Sequence, residues 1–280
     1  TATTLARSGS GALMIVPGVD GNLGNTVGAD ARVLGGTILG QATMTAAGLA
    51  ALNNVGTVSG INAEITAASI LRLASSTDAS ASFVRYDPVV GFITSAGANP
   101  LTNTFAGSTN SSIVDISTAT AITGTASTFG ARTSASISGG TLSIVARSTT
   151  EMGGLLINGV GLAAPVISSN VIFNGLGNTG GATGGEGIIY VSGGYLSGIA
   201  TISGNVIGRT LTKIGAGDLT LSGNNSVYGA VTVNNGTLTL GTGATVKQTT
   251  ALVLNDTAKL NVNGGNTTIA SLSGTVGTVG

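Results

Sequence analysis

The chain has 280 residues, with ten basic and ten acidic side chains, no histidine and no cysteine. Without His or Cys, a Ser-His-Asp triad, a Cys-His pair, a disulfide and the usual zinc sites are all excluded. Charged residues make up 7% of the chain, against about 25% in an average globular domain. Neutral Thr, Ser, Asn and Gly must therefore form most of its surface.

The net charge and the hydropathy of the chain limit the classes of partner that it is expected to bind. A net charge of zero without a basic patch argues against nucleic acid, and a nearly uncharged surface favours association with further copies. Hydrophobic residues make up 42% of the chain, which argues against disorder despite 47 glycines. No run approaches the ~18 apolar residues of a membrane helix, so no transmembrane segment is expected. The opening TATTLARSG lacks the features of a signal peptide, and we expect a processed product or a segment of something longer.

The first part of the chain, residues 1–134, is predicted to form looser, irregular coils. GALMIVPG and ARVLGGTILG have the composition of glycine-bounded strands, whereas AAGLAALNN favours a short helix. Residues 61–74 fit a strand pair or one or two helical turns, and strands are favoured because Ile61, Ala63 and Ile65 alternate with polar residues. Residues 81–96 are interpreted as a wide coil with an aromatic-filled corner turned by Asp87 and Pro88, or alternatively as a protruding binding loop.

The second part, residues 135–280, is predicted to form regular coils. Apolar pairs recur through GLLI, SNVIF and GIIYV, because Leu155 to Val171 is a step of 16 residues and Val171 to Ile189 a step of 18. GNTGGATGGEG, residues 177–187, interrupts this rhythm and is predicted to be a surface loop.

The most regular stretch is LTKIGAGDLTLSGNNSVYGAVTVNNGTLTL, residues 211–240, in which DLTL, AVTV and TLTL alternate apolar and polar residues between Gly/Asn turns. Two apolar series advance from there with a common step of about 20 residues. The first contains Leu219, Leu221, Leu238, Leu240, Leu260 and Val262, and the second contains Val231, Val233, Leu252 and Leu254.

A common step of about 20 residues predicts a parallel β-solenoid, in which these ten side chains form continuous internal rows and each coil covers its neighbour. Gly and Asn would form the corners, because Gly permits positive φ and Asn tolerates it and can stack in hydrogen-bonded ladders. Antiparallel hairpins are the alternative, since NNG is a hairpin signal, but they require no fixed step. At about 20 residues per coil the chain would make about 14 coils and a rod about 65 Å long.

The pattern L-x-K-x-G-x-G-x-L-T-L-x-G-N-N…G-x-V-T-V-N-x-G-T-L-T-L-G in residues 211–241 resembles the autotransporter-associated β-strand repeat. This repeat occurs in the passenger regions of large bacterial surface proteins. The family usually places an aromatic residue at the position of Val227, so Tyr228 receives no family role. The resemblance implies an all-β fold, a right-handed parallel β-helix with about 20 residues per coil. It also implies export across the envelope and no catalytic residues to transfer.

The chemistry-bearing residues indicate no reaction. The ten carboxylates are scattered, and no series of them recurs at the coil step, so we expect no enzyme and no cofactor. GAGDLTL resembles a calcium-binding nonapeptide, but Asp218 stands one place early and the motif is not tandem. We therefore predict a plain turn with Asp218 facing solvent and no metal site.

Together, these observations predict that residues 1–280 form one extracellular structural β-solenoid of a bacterial surface or secreted protein. It would serve as stalk, matrix or fibre material and could assemble end to end into filaments, because an open solenoid end presents a strand edge. Its partners would be further copies or further repeats of the same precursor. The alternative is an adhesin passenger domain that binds surface glycans or proteins through loops at 81–96 and 177–187.

Overall fold

The structure, a computed structural model, describes residues 12–15, 63–64, 69–72, 81–87, 91–95, 99–147, 152–158, 164–175, 184–193, 199–246, 250–263 and 268–276. Every helix or strand element in these ranges is a β-strand, so the all-β prediction is confirmed. The short helix expected in AAGLAALNN lies outside the described residues.

The strands fall into an N-terminal group and a solenoid group. The N-terminal group is β1 (Leu13–Ile15), β2 (Ala63–Glu64), β3 (Ser69–Arg72), β4 (Ala81–Asp87) and β5 (Gly91–Thr94). The first half of the solenoid group is β6 (Asn99–Thr102), β7 (Ser112–Ile116), β8 (Thr120–Ala121), β9 (Thr125–Thr128), β10 (Gly130–Thr133), β11 (Ile137–Ser138), β12 (Thr141–Val145), β13 (Gly154–Ile157), β14 (Val166–Ile167) and β15 (Asn170–Asn174). The second half is β16 (Glu186–Val191), β17 (Ile199–Ile202), β18 (Val206–Gly208), β19 (Thr210–Ile214), β20 (Asp218–Leu221), β21 (Ser226–Val227), β22 (Ala230–Val233), β23 (Thr237–Leu240), β24 (Ala251–Asp256), β25 (Lys259–Asn261) and β26 (Ser271–Val276).

From β6 onward the described chain forms three parallel sheets, and a coil contributes at most one strand to each. The long sheet has nine strands, in the order β6, β7, β10, β13, β16, β19, β22, β24 and β26. The second sheet has seven strands, from β8 to β25, and the third has five, from β9 to β21. The fold is therefore a parallel β-solenoid of about seven turns, as the repeat predicts.

The described solenoid has fewer coils than the number predicted for the whole chain, because its stacked strands begin only at Asn99. The step between coils also varies along the chain. Paired residues in the long sheet lie 20 residues apart between Leu211 and Val231, but 34 apart between Leu155 and Ile189. Leu155 and Val171 belong to different sheets, so the expected steps of 16 and 18 residues do not exist. Nine strands at a spacing of ~4.8 Å span about 38 Å, well short of the predicted rod.

The N-terminal strands form a separate five-stranded sheet with antiparallel pairs. β4 pairs in antiparallel fashion with β2, β3 and β5, while β1 pairs with β3 in parallel. These strands are not solenoid coils, in contrast to the looser coils predicted for residues 1–134. Stacked coils begin at β6 and β7, before residue 135.

Asparagines stack at two corners of the solenoid, as predicted. The Asn205 backbone N–H donates to Asn170 Oδ1 at 3.1 Å, and the Asn224 N–H donates to Asn205 Oδ1 at 2.9 Å. At another corner Asn255 Nδ2 donates to Asn234 Oδ1 at 2.8 Å. Each side chain thus satisfies a polar group of the neighbouring coil where the strand ladder is interrupted.

The first coil is closed by a short connection. Only nine residues, 103–111, link β6 to β7, so this turn adds no strand to the second or third sheet. Phe105 is 7% exposed and packs in the apolar interior, while Asn103 Oδ1 accepts the backbone N–H groups of Ser117 and Thr118. The Phe105 ring of this connection therefore covers the end of the apolar core.

Candidate interaction surface

The predicted internal rows lie in register in the structure. Leu238 pairs with Leu219 on one side and with Leu260 on the other, and Val231 pairs with Leu252. The buried members are Leu219, Leu221, Leu238, Leu240, Val231, Val233 and Leu252, and the half-buried members are Leu254 and Leu260. These rows belong to one apolar cluster shared by the three sheets.

Val262 is the exception among the ten predicted core residues. It lies beyond β25, whose ladder to β23 ends at Asn261, and it is 40% exposed. The alternation of KLNV is correct, but no partner strand holds the fourth residue over the core. Its assignment to an internal row is therefore wrong.

A second apolar row lies on the outer face of the long sheet. Ile113, Leu156, Ile188, Tyr190 and Ile214 are buried there, one or two from each of four strands. All four residues of β13 are buried, and so are the five residues of β16 that follow Glu186. Both strands therefore have two covered faces. Their sequences GLLI and GIIYV are uninterrupted apolar runs, which are typical of strands buried on both sides.

The N-terminal sheet packs on part of this outer row. Ile70 from β3 and Ala81 and Phe83 from β4 are buried in the same cluster as the outward side chains of the solenoid. Burying a Phe or Ile side chain contributes about 1.5 to 3 kcal/mol. The contact is therefore an interface between two sheets of one chain, and the outer row of the covered strands is not free for partners.

Hydrogen bonds join the N-terminal sheet to the solenoid at two points. The Ala81 N–H donates to Asn158 Oδ1 at 3.0 Å, and Asn158 Nδ2 donates to the Ala81 carbonyl oxygen at 3.0 Å. Both groups are buried, so the carboxamide acts as a short strand partner for β4. Arg132 donates to Ser82 Oγ at 3.0 Å and also pairs with Asp115 through both carboxylate oxygens.

Gly130 allows the Phe83 ring of the N-terminal sheet to contact the solenoid. A Cβ atom at Gly130 would lie 2.6 Å from the Phe83 ring. Because real Cβ atoms do not approach so closely, the ring can lie on the sheet only where a side chain is missing. Sequence reasoning did not single out Gly130 or Asn158, since neither stands in a repeat.

The structure differs from the sequence prediction at both predicted binding loops. The described residues of the stretch 81–96 do not form a wide coil, because β4 and β5 pair as an antiparallel hairpin whose first strand faces the solenoid. The turn at 88–90 lies outside the described residues. Of the loop predicted at 177–187, residues 177–183 also lie outside them, whereas Glu186 and Gly187 belong to β16.

Lys213 forms a buried corner that the sequence motif contains but does not explain. Its side chain is fully buried, and Nζ donates to the carbonyl oxygens of Gly215 at 2.7 Å, of Asn235 at 2.6 Å, and of Gly217. Gly215 and Gly217 lie in the turn between β19 and β20, and Asn235 lies in the next coil. The ammonium group therefore joins two successive coils.

The contacts of Lys213 also show what occupies the GAG turn that resembles a calcium-binding motif. Carbonyl oxygens of the GAG turn are the ligands that Ca²⁺ would use, and the Lys213 ammonium already fills the space between them. Asp218 does not face solvent as predicted, because it is half-buried and Oδ1 accepts the Thr237 N–H at 3.0 Å. Across the described parts of the chain, no three acidic, His or Cys side chains come together as metal ligands.

Comparison with known proteins identifies a known repeat in about one and a half coils of this solenoid. Among the described residues, no helix is long and apolar enough to cross a membrane. The comparisons with curated proteins and with solved structures yield no match. The family model of the passenger-associated-transport-repeat matches residues 211–240, and the motif-based resemblance is thereby confirmed over that stretch. Residues 211–240, from β19 to β23, therefore match a repeat of autotransporter passenger proteins.

Proposed function

We propose that this chain is a structural segment of an exported bacterial passenger protein, located at the cell surface or outside the cell. The observation that carries the proposal is the long sheet, nine parallel strands deep and continuous with a single internal core. The proposal is supported by the passenger-associated-transport-repeat matched at residues 211–240 and by a solenoid fold that fits an autotransporter passenger domain. Each coil stabilises its neighbours, so the segment acts as a rigid spacer and not as a chain of independent domains.

The proposed role is that of a stalk or matrix element without catalytic activity. Its partners are further coils of the same kind, either from the same precursor or from other copies. Among the described strands, β26 pairs only with β24, and Leu272 in it is 62% exposed. A further strand can pair with this edge and cover these side chains.

Electron microscopy of the purified chain tests this proposal. We expect stiff particles at low concentration and head-to-tail filaments as the concentration rises. Flexible particles without a rod-like body would contradict the stalk role. Dispersed particles at high concentration, together with saturable binding to cells or glycans, would instead favour the adhesin alternative.

A further inference from the structure

A groove of about 530 Å³ lies at the first coil, where the second and third sheets begin. One wall is the connection between β6 and β7, and the other is formed by β8, β9 and the turn between them. All thirteen lining residues are uncharged. The groove exists because the nine-residue connection adds a strand only to the long sheet, so at this end each of the other two sheets begins one strand later.

Within the part of the chain that the structure describes, each strand in the groove wall has one unpaired edge. There β8 pairs only with β11, and β9 pairs only with β12. The N–H groups of Thr120 and Ile122 donate to the carbonyl oxygens of Ser136 and Ser138, at 3.0 and 2.7 Å, and so point toward β11. In a parallel ladder alternate residues direct their N–H and C=O groups to opposite sides. The backbone groups of Ala121 therefore point into the groove.

The same alternation applies to β9. The Gly124 carbonyl oxygen accepts the Thr141 N–H at 2.8 Å and so points toward β12. Thr125 and Ser127, offset by one and three residues, then direct their backbone groups into the groove. The Ser108 hydroxyl oxygen in the opposite wall is buried and has no hydrogen-bond partner among the described residues.

The chain itself indicates what chemistry fits these edges. Ile137–Ile144, with the sequence ISGGTLSI, already pairs in parallel with β8 and β9 from their other side. This segment is uncharged, and Gly139 and Gly140 form its corner with φ values of 71° and 32°. An occupant of the groove has to meet the same two strands and pass the same corner at Gly124, whose φ is 72°.

We propose that this groove binds an extended, uncharged peptide segment with glycines at its bend, which adds one strand each to the second and third sheets. Strand addition of this kind draws its affinity from backbone hydrogen bonds. The absence of charge from the lining disfavours charged segments, because their side chains would lose water without gaining a partner. The inference does not depend on the stalk role, since it concerns the first coil and not the edge of β26.

A binding measurement with the full chain tests this inference. The probe is a fluorescent, end-blocked peptide of residues 135–146, followed by fluorescence polarisation. We expect saturable, one-to-one binding in the micromolar range. The same peptide N-methylated at every second residue, prepared in both phases, should lose binding in at least one phase, because one set of its N–H groups must face β8 and β9. No binding, or equal binding of all three peptides, would overturn the proposal.

Two variants locate the binding. Ala121→Pro together with Thr125→Pro removes two donors that face the groove and leaves the donors toward β11 in place, and should weaken binding at least about tenfold. Ala119→Pro, at an exposed position just before β8, is the matched control and should bind as the unaltered chain does. If circular dichroism shows that the double variant misfolds, Thr123→Lys replaces it, because a charge at this exposed position should also block strand addition. Binding unaffected by either variant would refute the site.

Discussion

Replacing Lys213 by Met tests whether the buried ammonium joins two coils. Met keeps the length and the apolar stem but leaves three carbonyl oxygens without their donor. A hydrogen bond to a charged group contributes about 1.5 to 3 kcal/mol. Part of the sum is offset because the variant no longer has to desolvate an ammonium group. We expect a net loss of about 3 to 5 kcal/mol in the free energy of unfolding.

The assay is urea denaturation followed by far-UV circular dichroism. With a slope of about 3 kcal/mol per molar urea, a loss of about 4 kcal/mol lowers the midpoint by about 1.3 M. Lys259→Met is the matched control, because Lys259 is exposed and the same substitution there should cost less than about 0.5 kcal/mol. Equal midpoints for the two variants would show that the ammonium does not hold the coils together.

Three further predictions follow from the packing. Leu238→Ala should destabilise the chain by about 2 to 5 kcal/mol because Leu238 is buried between two coils, whereas Leu272→Ala, on the exposed edge strand, should change little; thermal unfolding distinguishes them. Gly130→Ala should cost about 1 to 3 kcal/mol through its clash with the Phe83 ring, and a double-mutant cycle with Phe83→Leu should recover much of it; additive losses would disprove the contact. Asn158→Ala removes both buried hydrogen bonds to β4, so limited proteolysis should cleave the N-terminal sheet faster while the solenoid stays intact; an unchanged cleavage rate would contradict this fastening role.

The repeat region shows how much local pattern can determine. From Leu211 to Leu254 the apolar residues alternate along each strand and recur at nearly constant steps, so both the inward face and the vertical neighbour follow from the sequence. Upstream, the same reasoning paired Leu155 with Val171, because the strands were recognised but the lengths of the loops between them were not. A residue's neighbour in a solenoid depends on the whole coil, and an unequal loop changes it without changing any strand.

The sequence by itself determined that this chain stacks parallel coils around leucine and valine rows, because a period of two within a step of about 20 residues has few other solutions. For the apolar runs GLLI and GIIYV, sequence reasoning predicted only pairs within the coil rows, and the structure shows that both faces of these two strands are covered. Only the tertiary structure decided what packs on the outer face of the long sheet: an antiparallel sheet from a distant part of the chain, held by Asn158 and lying over Gly130. Such contacts join segments far apart in sequence, and no local periodicity encodes which distant surface a buried face will meet.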